Sequence, residues 1–525
     1  MDQTLPDTCN QKPGQTNADT SNGLPRSKGR PSITSLASSL VVNDQLKISN
    51  LEAAVHIVKS TIGGGFLSMP DAFKHAGLLV GSLGTFVMGL AVYNTLSIIV
   101  KCSQAIPTTR EPGDPSGIPR KLDFPETVEY VFLHGARGKF AKWASLSRRF
   151  TGTTLFVTYY GVNVIYVCII ATTAKQFVDN YFPYGILRDH SIRWYPSLVA
   201  LVVIPLGMVR LMKYLVPFSA IANMFMGIGS GMVFYYLAIG DQTSSDTRDV
   251  SSEIGNVTSA SSSAADQVQW IAAPLSQWPL FMGTCLCSME GVGMLLHIES
   301  AMKNPRALLE KPWYTLLKSM AIIVLLNSSM GFFGYLRYGN QVAGSISLSL
   351  PQDSWLSQSV KLAIALGILF TYGLQLTVTA ELLWRSIQKS YFGVDLYTGD
   401  EQHKSEGKKS SDGAETVVYY TMRLFLILST ILMATVIPDI GPLVSLVGSI
   451  GFSVLGLTVP VCMETVWLYY EGEDQGPESS SVRRVLRHGK NVFLFALSVI
   501  AAVTGAYFSI RDIVDNYHAS SSGTA

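Results

Sequence analysis

The sequence predicts an all-α polytopic membrane protein with about eleven transmembrane helices. Of its 525 residues, 48% are hydrophobic and only 14% are charged, and the mean hydropathy is +0.28. Apolar runs of the length that crosses a bilayer, roughly 20 residues, recur along most of the chain. A formal net charge of +2 is too small for a nucleic-acid-binding surface, so nucleic acid is not expected as a partner.

The apolar segments define the expected domain organisation. In chain order they cover 51–76, 78–106, 150–178, 195–212, 215–239, 277–300, 313–336, 357–388, 415–436, 440–470 and 490–511. Residues 1–48 are polar and rich in Ser, Pro and Gly, which is typical of a disordered tail. We therefore expect a disordered cytoplasmic tail over 1–48, a transmembrane domain over 49–511 and a short external C-terminal tail over 512–525.

Charge distribution sets the expected orientation. With the N-terminus in the cytoplasm, only 8 of the 39 Lys and Arg residues fall on the outer side, as the positive-inside rule requires. The Ser- and Asp-rich loop over 240–266 is then external. It carries Asn256-Val257-Thr258, which is an N-glycosylation acceptor sequence. Asn256 is therefore a predicted glycosylation site.

The first apolar segment contains an unusual glycine run, Gly63-Gly64-Gly65, directly after Ser60 and Thr61. Glycine disfavours a helix interior by roughly 1 kcal/mol relative to alanine, so three in a row predict a break. A break at membrane depth is tolerated where the freed backbone lines a cavity. The alternative is a glycine run that lets another helix approach closely.

The sixth segment repeats this feature. Its run CLCSMEGVGMLLHIESAMK is interrupted at Glu290-Gly291-Val292-Gly293, just after Ser288. Discontinuous helices at matching positions of two halves indicate an inverted-repeat transporter with substrate held between them. The expected core is thus a 5+5 inverted repeat with broken helices 1 and 6, plus one extra helix.

Four stretches resemble the amino acid/auxin permease superfamily and, within it, the proton-coupled amino acid transporters. They are HIVKSTIGGGFLSMPDAFKHAGLLVG, SMEGVGMLLHIESAMKNP, GSISLSLPQDSWLSQSVK and TYGLQLTVTAELLW. The likeness covers about Ile48 to Arg511. It implies a symporter that moves small neutral amino acids together with protons, with the substrate backbone held at the first and sixth breaks. It also implies a proton-coupling role for His56, which occupies the place of the family's first-helix histidine.

The chain departs from that family pattern at three places. Gly64 stands where the family commonly has a threonine in Gly-Thr-Gly, and His297 replaces a common proline. The extracellular cysteine pair of vertebrate members is absent from the loops 179–193 and 337–355. The first two differences bear on the identity of the substrate.

Candidate site residues fall into two groups. Ionisable residues inside a membrane are rare and usually functional, so His56, Glu290 and Glu381 are predicted to take part in proton coupling. Lys59 and Glu299 are interpreted mainly as snorkelling or structural groups, and His297 as a satisfied core or interface histidine. The predicted substrate-binding residues lie at the two breaks: Ser60, Thr61, Gly63, Gly64, Gly65, Ser288, Gly291 and Gly293.

Other functions stay open at this point. A sodium-coupled or exchanger-type carrier would need several oxygen ligands, which Ser60, Thr61, Thr377 and Thr379 offer. An amino-acid-sensing receptor is a further alternative. No catalytic signature, cofactor motif or metal-ligand spacing occurs, so an enzyme is not expected. The expected partners are small neutral amino acids, protons and membrane lipid, in the plasma membrane or a lysosomal or endosomal membrane.

Overall fold

The computed structural model describes residues 47–106, 122–181, 191–209, 212–239, 268–271, 275–289, 291–351, 354–391, 411–474 and 481–522. Nearly all of the tail predicted over 1–48 lies outside these residues. So do Asn256, with the loop over 240–266, and Glu290.

The described part of the chain is almost entirely helical and contains no β-strand. Its α-helices, named α1 to α17 in chain order, are Asn50–Thr61, Gly64–Leu67, Met69–Ala76, Leu78–Ala105, Phe124–His134, Ala141–Tyr181, Tyr195–Gly207, Met212–Ile239, Trp278–Ser288, Val292–Ala301, Thr315–Tyr338, Ile346–Ser349, Trp355–Tyr391, Ser411–Val436, Ile440–Val447, Val459–Asp474 and Ser481–Ser522.

Nine helices of the described chain are long and apolar enough to cross a membrane, and a shorter apolar helix covers Ile192–Gly207. Together with the broken first segment they coincide with the eleven predicted spans, which confirms the fold class. The largest differences from the predicted spans are at α6, which begins at Ala141, and at α17, which runs from Ser481 to Ser522. A separate helix, α5, precedes α6 in the chain.

Both predicted breaks are present. The first segment is divided into α1, α2 and α3, with a break at Ile62 and Gly63. The sixth segment is divided into α9 and α10, with a break between Ser288 and Val292. The broken segments are the first and the sixth in chain order. In a repeat of two halves with five helices each, these are the first helices of the two halves.

The two broken segments are joined near one end by backbone hydrogen bonds. Ser49 caps α1 reciprocally with Glu52: its N–H donates to Glu52 Oε2 at 2.7 Å, and its Oγ accepts from the Glu52 N–H at 3.3 Å. Just before this cap, Ile48 N–H donates to the carbonyl of Ala301 at 2.9 Å, at the end of α10. The Ile48 carbonyl in turn accepts from Lys303 N–H at 3.1 Å.

The tenth segment contains π-helical backbone over Gly448–Phe452 and Val454–Thr458, between α15 and α16. A π-helix widens the helical turn and is frequent at functional sites. Close packing surrounds it, since the backbone of Gly448 lies directly against the Gly283 carbonyl of α9. This stretch therefore packs directly against the broken sixth segment.

A fully buried arginine joins three helices on another side of the bundle. Arg423 of α14 donates to the carbonyl of Gly207, the last residue of α7, and to that of Val209, two residues further on. It also donates to Thr377 Oγ1 of α13 at 2.6 Å and to the Tyr419 hydroxyl at 2.8 Å. These bonds satisfy carbonyl groups that the end of α7 leaves without helical partners.

Candidate functional site

A cavity of about 380 Å³, including the space at its open side, lies at the first break. Its walls come from the first, third, sixth and tenth segments. The lining residues are Ser60, Thr61, Gly63, Gly64, Gly65, Val162, Ile165, Tyr166, Cys287 and Phe452. Five of these ten were predicted as substrate-binding residues, and the structure brings all five together.

The backbone at the break offers both donors and acceptors. The last carbonyls of α1 and the first N–H groups of α2 have no partner within their own helices. Gly63, the residue before α2, has extended backbone angles (φ −155°, ψ −153°) and no side chain with which to cap it. Carbonyls at a helix C-terminus favour cations and N–H groups at an N-terminus favour anions. The break therefore suits a ligand that carries both charges.

Two hydroxyl groups stand beside this backbone. Ser60 Oγ donates to the Ile57 carbonyl and Thr61 Oγ1 to the Val58 carbonyl, both at 2.8 Å. A hydroxyl group whose proton is used in this way still has lone pairs that accept hydrogen bonds. Ser60 and Thr61 thus supply acceptor oxygens at the cavity wall.

The opposite wall is apolar and aromatic. It consists of Val162, Ile165 and Tyr166 from α6 and Phe452 from the π-helical stretch. None of the ten lining residues is charged. A substrate side chain held here would meet carbon atoms and one phenol, which favours neutral side chains. These four residues were not predicted, because they lie in apolar segments that carry no local sequence signal.

The sixth break contributes less to the cavity than predicted. Its lining residue is Cys287, whereas the neighbouring Ser288 is fully buried and donates to the Cys285 carbonyl at 2.9 Å. Gly293 packs directly against the Tyr159 hydroxyl, so it serves close helix packing. Gly291 lies in the break itself but is not among the lining residues.

His56 lies one turn before the cavity. Ala53, Ile57 and Thr61 form the buried face of α1, whereas His56 is exposed. Because His56 and Ser60 are four residues apart, they share one side of the helix. His56 therefore lies outside the cavity, on the exposed face of α1 that also carries the cavity-lining Ser60.

The remaining predicted ionisable residues lie elsewhere. Glu381 is half-buried in α13 and makes no hydrogen bond or ion pair to another described residue. Glu299 is fully buried and accepts from Ser103 Oγ of α4 at 2.8 Å, so its partner is a neighbouring helix. His297 is exposed, with Nδ1 3.0 Å from the Gly293 carbonyl.

The oxygen atoms that a sodium site would need are dispersed. Thr379 Oγ1 accepts from Asn163 Nδ2 at 3.0 Å and donates to the Gln375 carbonyl. Thr377 is bonded to Arg423. Neither threonine lines the cavity, whereas Ser60 and Thr61 do.

A carboxyl group between α14 and α15 has an altered acidity. Burial raises the pKa of Asp439 above its usual range, and the nearby charge of Asp71 raises this pKa further. The side-chain amide of Asn516 donates to Asp439 Oδ2 at 2.6 Å and acts in the opposite direction. This end of the bundle therefore contains a carboxyl group whose pKa burial raises above its ordinary value.

An all-helical membrane protein with a cavity between two broken helices has the architecture of a secondary transporter. A family described as "Transmembrane amino acid transporter protein" matches residues 46–511. The chain therefore belongs to this family, the amino acid/auxin permeases, and is a multi-pass membrane transporter of amino acids.

Two relatives cover most of the chain. It is 30% identical over 470 residues to a Drosophila melanogaster protein named "Proton-coupled amino acid transporter-like protein pathetic", a match that covers 89% of this chain and 85% of the relative. It is 24% identical over 470 residues to "Amino acid transporter ANT1" of Arabidopsis thaliana, with 88% of this chain and 93% of the relative covered.

Proposed function

We propose that this chain is a symporter that carries small neutral amino acids together with protons by alternating access. The observation that carries this proposal is the cavity at the first break, which has polar backbone on one side and no charged lining side chain. The printed name of the Drosophila relative, which includes proton coupling, supports the choice of ion.

The proposed binding mode uses the two ends of the break. The substrate α-carboxylate meets the N–H groups at the start of α2, and its α-ammonium meets the last carbonyls of α1 and the hydroxyls of Ser60 and Thr61. The side chain then points to the wall formed by Ile165, Tyr166 and Phe452. Larger or charged side chains are disfavoured there, by lack of space and by the cost of burying a charge.

The proposed proton site is His56. Histidine changes charge near pH 6.5. This value lies between the pH of acidic compartments or an acidic cell surface and the pH of the cytoplasm. Its exposed position one turn from Ser60 places it near the proposed substrate site. With the N-terminus in the cytoplasm, an acidic exterior or an acidic organelle lumen would drive protons and amino acid into the cytoplasm.

Competition experiments test the substrate assignment. Uptake of labelled alanine by proteoliposomes at external pH 5.5 and 7.4 should be inhibited by glycine, alanine and proline. Ethylamine and pyrrolidine, which lack the carboxylate, should not inhibit. Equal inhibition by the amines would contradict binding of the carboxylate at the break.

Replacement of sodium by choline at fixed pH separates the proposal from sodium coupling, and uptake should be unchanged. The positions of Thr377 and Thr379, both already bonded outside the cavity, favour this result.

Counterflow of labelled alanine separates transport from sensing, because a receptor without turnover would show none.

A further inference from the structure

Lys361, in the first half of α13, combines full burial with an amine that bonds to no described residue. Its side chain is 0% exposed, and its Nζ makes no hydrogen bond to any described residue. No carboxylate in the described chain pairs with it. By contrast, the partly buried Lys490 donates to Glu464 at 2.7 Å and to Asn94 at 3.0 Å.

Two close approaches locate Lys361 against α8. A Cβ on Gly229 would lie 2.6 Å from Ile364 Cγ1, and one on Gly367 would lie 2.8 Å from Met226 Cγ. The two helices are thus antiparallel, and this register places Lys361 level with the turn of α8 that follows Gly229. The same turn holds Ser230, whose buried hydroxyl also has no hydrogen-bond partner among the described residues.

The next turn of α8 packs against the broken first segment, beside the cavity. Phe234, one turn after Ser230, lies with its ring centroid 6.4 Å from that of Phe66. Phe66 directly follows the cavity-lining Gly65. A movement of the broken first segment would therefore change the packing of α8 at the interface that buries Lys361.

The surroundings determine which form of Lys361 fits here. An unpaired ammonium group in an apolar interior costs several kcal/mol, whereas a neutral amine does not need a counter-charge. On the helices packed against this half of α13, Asp179 of α6 pairs through Oδ2 with Lys175 at 2.8 Å, and its Oδ1 makes no hydrogen bond to a described residue. The buried phenol of α8, Tyr236, is bonded to Ser354 at 2.8 Å, and α12 has no titratable group.

We propose that Lys361 is a proton-binding site of the transport cycle, neutral in this conformation and protonated in conformations that open the α8–α13 interface to water. The inference rests on the proposed proton symport and adds a second proton-binding residue to His56. In each cycle the amine takes one proton from the side to which it opens. It releases that proton to the solution on the opposite side of the membrane, when closure of the interface again removes the ammonium from water.

Proton flux per transported amino acid tests this proposal. Wild-type protein, K361M and K318M are reconstituted in proteoliposomes with an internal pH dye, and labelled alanine is added outside at pH 5.5. Lys318 is an exposed lysine of α11 and serves as the matched control. K361M should keep alanine counterflow and lose at least about half of the protons carried per alanine. K318M should match the wild type.

Wild-type proton flux per alanine in K361M would overturn the assignment of Lys361 and leave the proposed symport intact. Alanine uptake by the wild-type protein without any proton flux would overturn the symport, and the role of Lys361 with it.

Stability provides the second measurement. An amine without a partner has no bond to lose, so K361M should melt at the wild-type temperature or above. A K361M protein that melts lower or does not reach the membrane would show that Lys361 makes a needed interaction, and would contradict the proposal.

Discussion

Gly65 of α2 lies in direct contact with the backbone of Ser288 at the end of α9. A Cβ on Gly65 would lie only 2.8 Å from the Ser288 backbone nitrogen. The two broken helices therefore touch beside the cavity, at a point where no side chain fits. The two alternatives for the glycine run, a cavity wall and a close helix approach, are thus both present at this one residue.

This contact predicts different effects for neighbouring glycines. G65A should lower alanine uptake by roughly tenfold or more, because overpacking of a tight contact costs about 1–3 kcal/mol. G63A should keep most of its uptake, because its Cβ would meet only the Tyr166 hydroxyl, at 3.5 Å. The measurement is the initial rate of uptake per molecule at the membrane.

The control is G231A in α8, where an added Cβ meets no atom within 4 Å among the described residues. It should behave as the wild type. Equal rates for G65A and G231A would show that the contact between the broken helices does not limit transport.

Arg423 should be essential for stability. Lysine keeps the charge in R423K but cannot reach the carbonyls of Gly207 and Val209 together with Thr377 Oγ1. Each lost hydrogen bond to a charged group costs roughly 1.5–3 kcal/mol. The melting temperature of the purified protein should therefore fall by several degrees.

R385K is the matched control, because Arg385 is half exposed and its ion pair with Asp123 lies at the surface of the structure. Surface pairs contribute about 0–1 kcal/mol. An R423K protein as stable as R385K would show that the buried hydrogen bonds contribute little.

His56 should link uptake to external pH. Protonation and amino acid binding must favour each other by one shared coupling free energy if His56 carries the proton. H56A should therefore abolish the stimulation of uptake by acid and keep alanine counterflow. The control is H297A, which removes an exposed histidine away from the cavity lining. Wild-type acid stimulation in H56A would remove His56 from the coupling mechanism.

Asp439 should make the folded protein more stable in mild acid. Because its pKa is higher in the folded state than in the unfolded chain, the folded state binds more protons between the two values. Stability contributed by this group therefore falls as the pH rises through that window. D439N should show a smaller change in melting temperature between pH 4.5 and 7.4 than the wild type. An unchanged difference would contradict a raised pKa.

The sequence predicted the spans and the breaks, because each leaves a local signal in the chain. Apolar runs define the spans, because a bilayer demands about 20 apolar residues. Glycine runs define the breaks, because helices disfavour glycine. The predicted cluster of Ser60, Thr61 and Gly63 to Gly65 follows from that local signal and is found in one cavity.

The rest of the site depends on tertiary packing that leaves no local signal. Tyr166 and Phe452 lie in ordinary apolar stretches, and only the packing of their helices turns them to the cavity. Ser288 and Cys287 are adjacent, and the rotation of α9 decides which of them lines it. The unpartnered burial of Lys361 likewise depends on α8, which is remote in sequence.

We propose that one protein molecule carries an amino acid zwitterion and a proton together. The most direct measurement uses purified protein in sodium-free proteoliposomes with an internal pH dye and a clamped membrane potential. Addition of labelled alanine outside at pH 5.5 should produce internal acidification that follows alanine uptake in time and stops when glycine competes. Accumulation of labelled alanine with no change in internal pH would contradict proton symport.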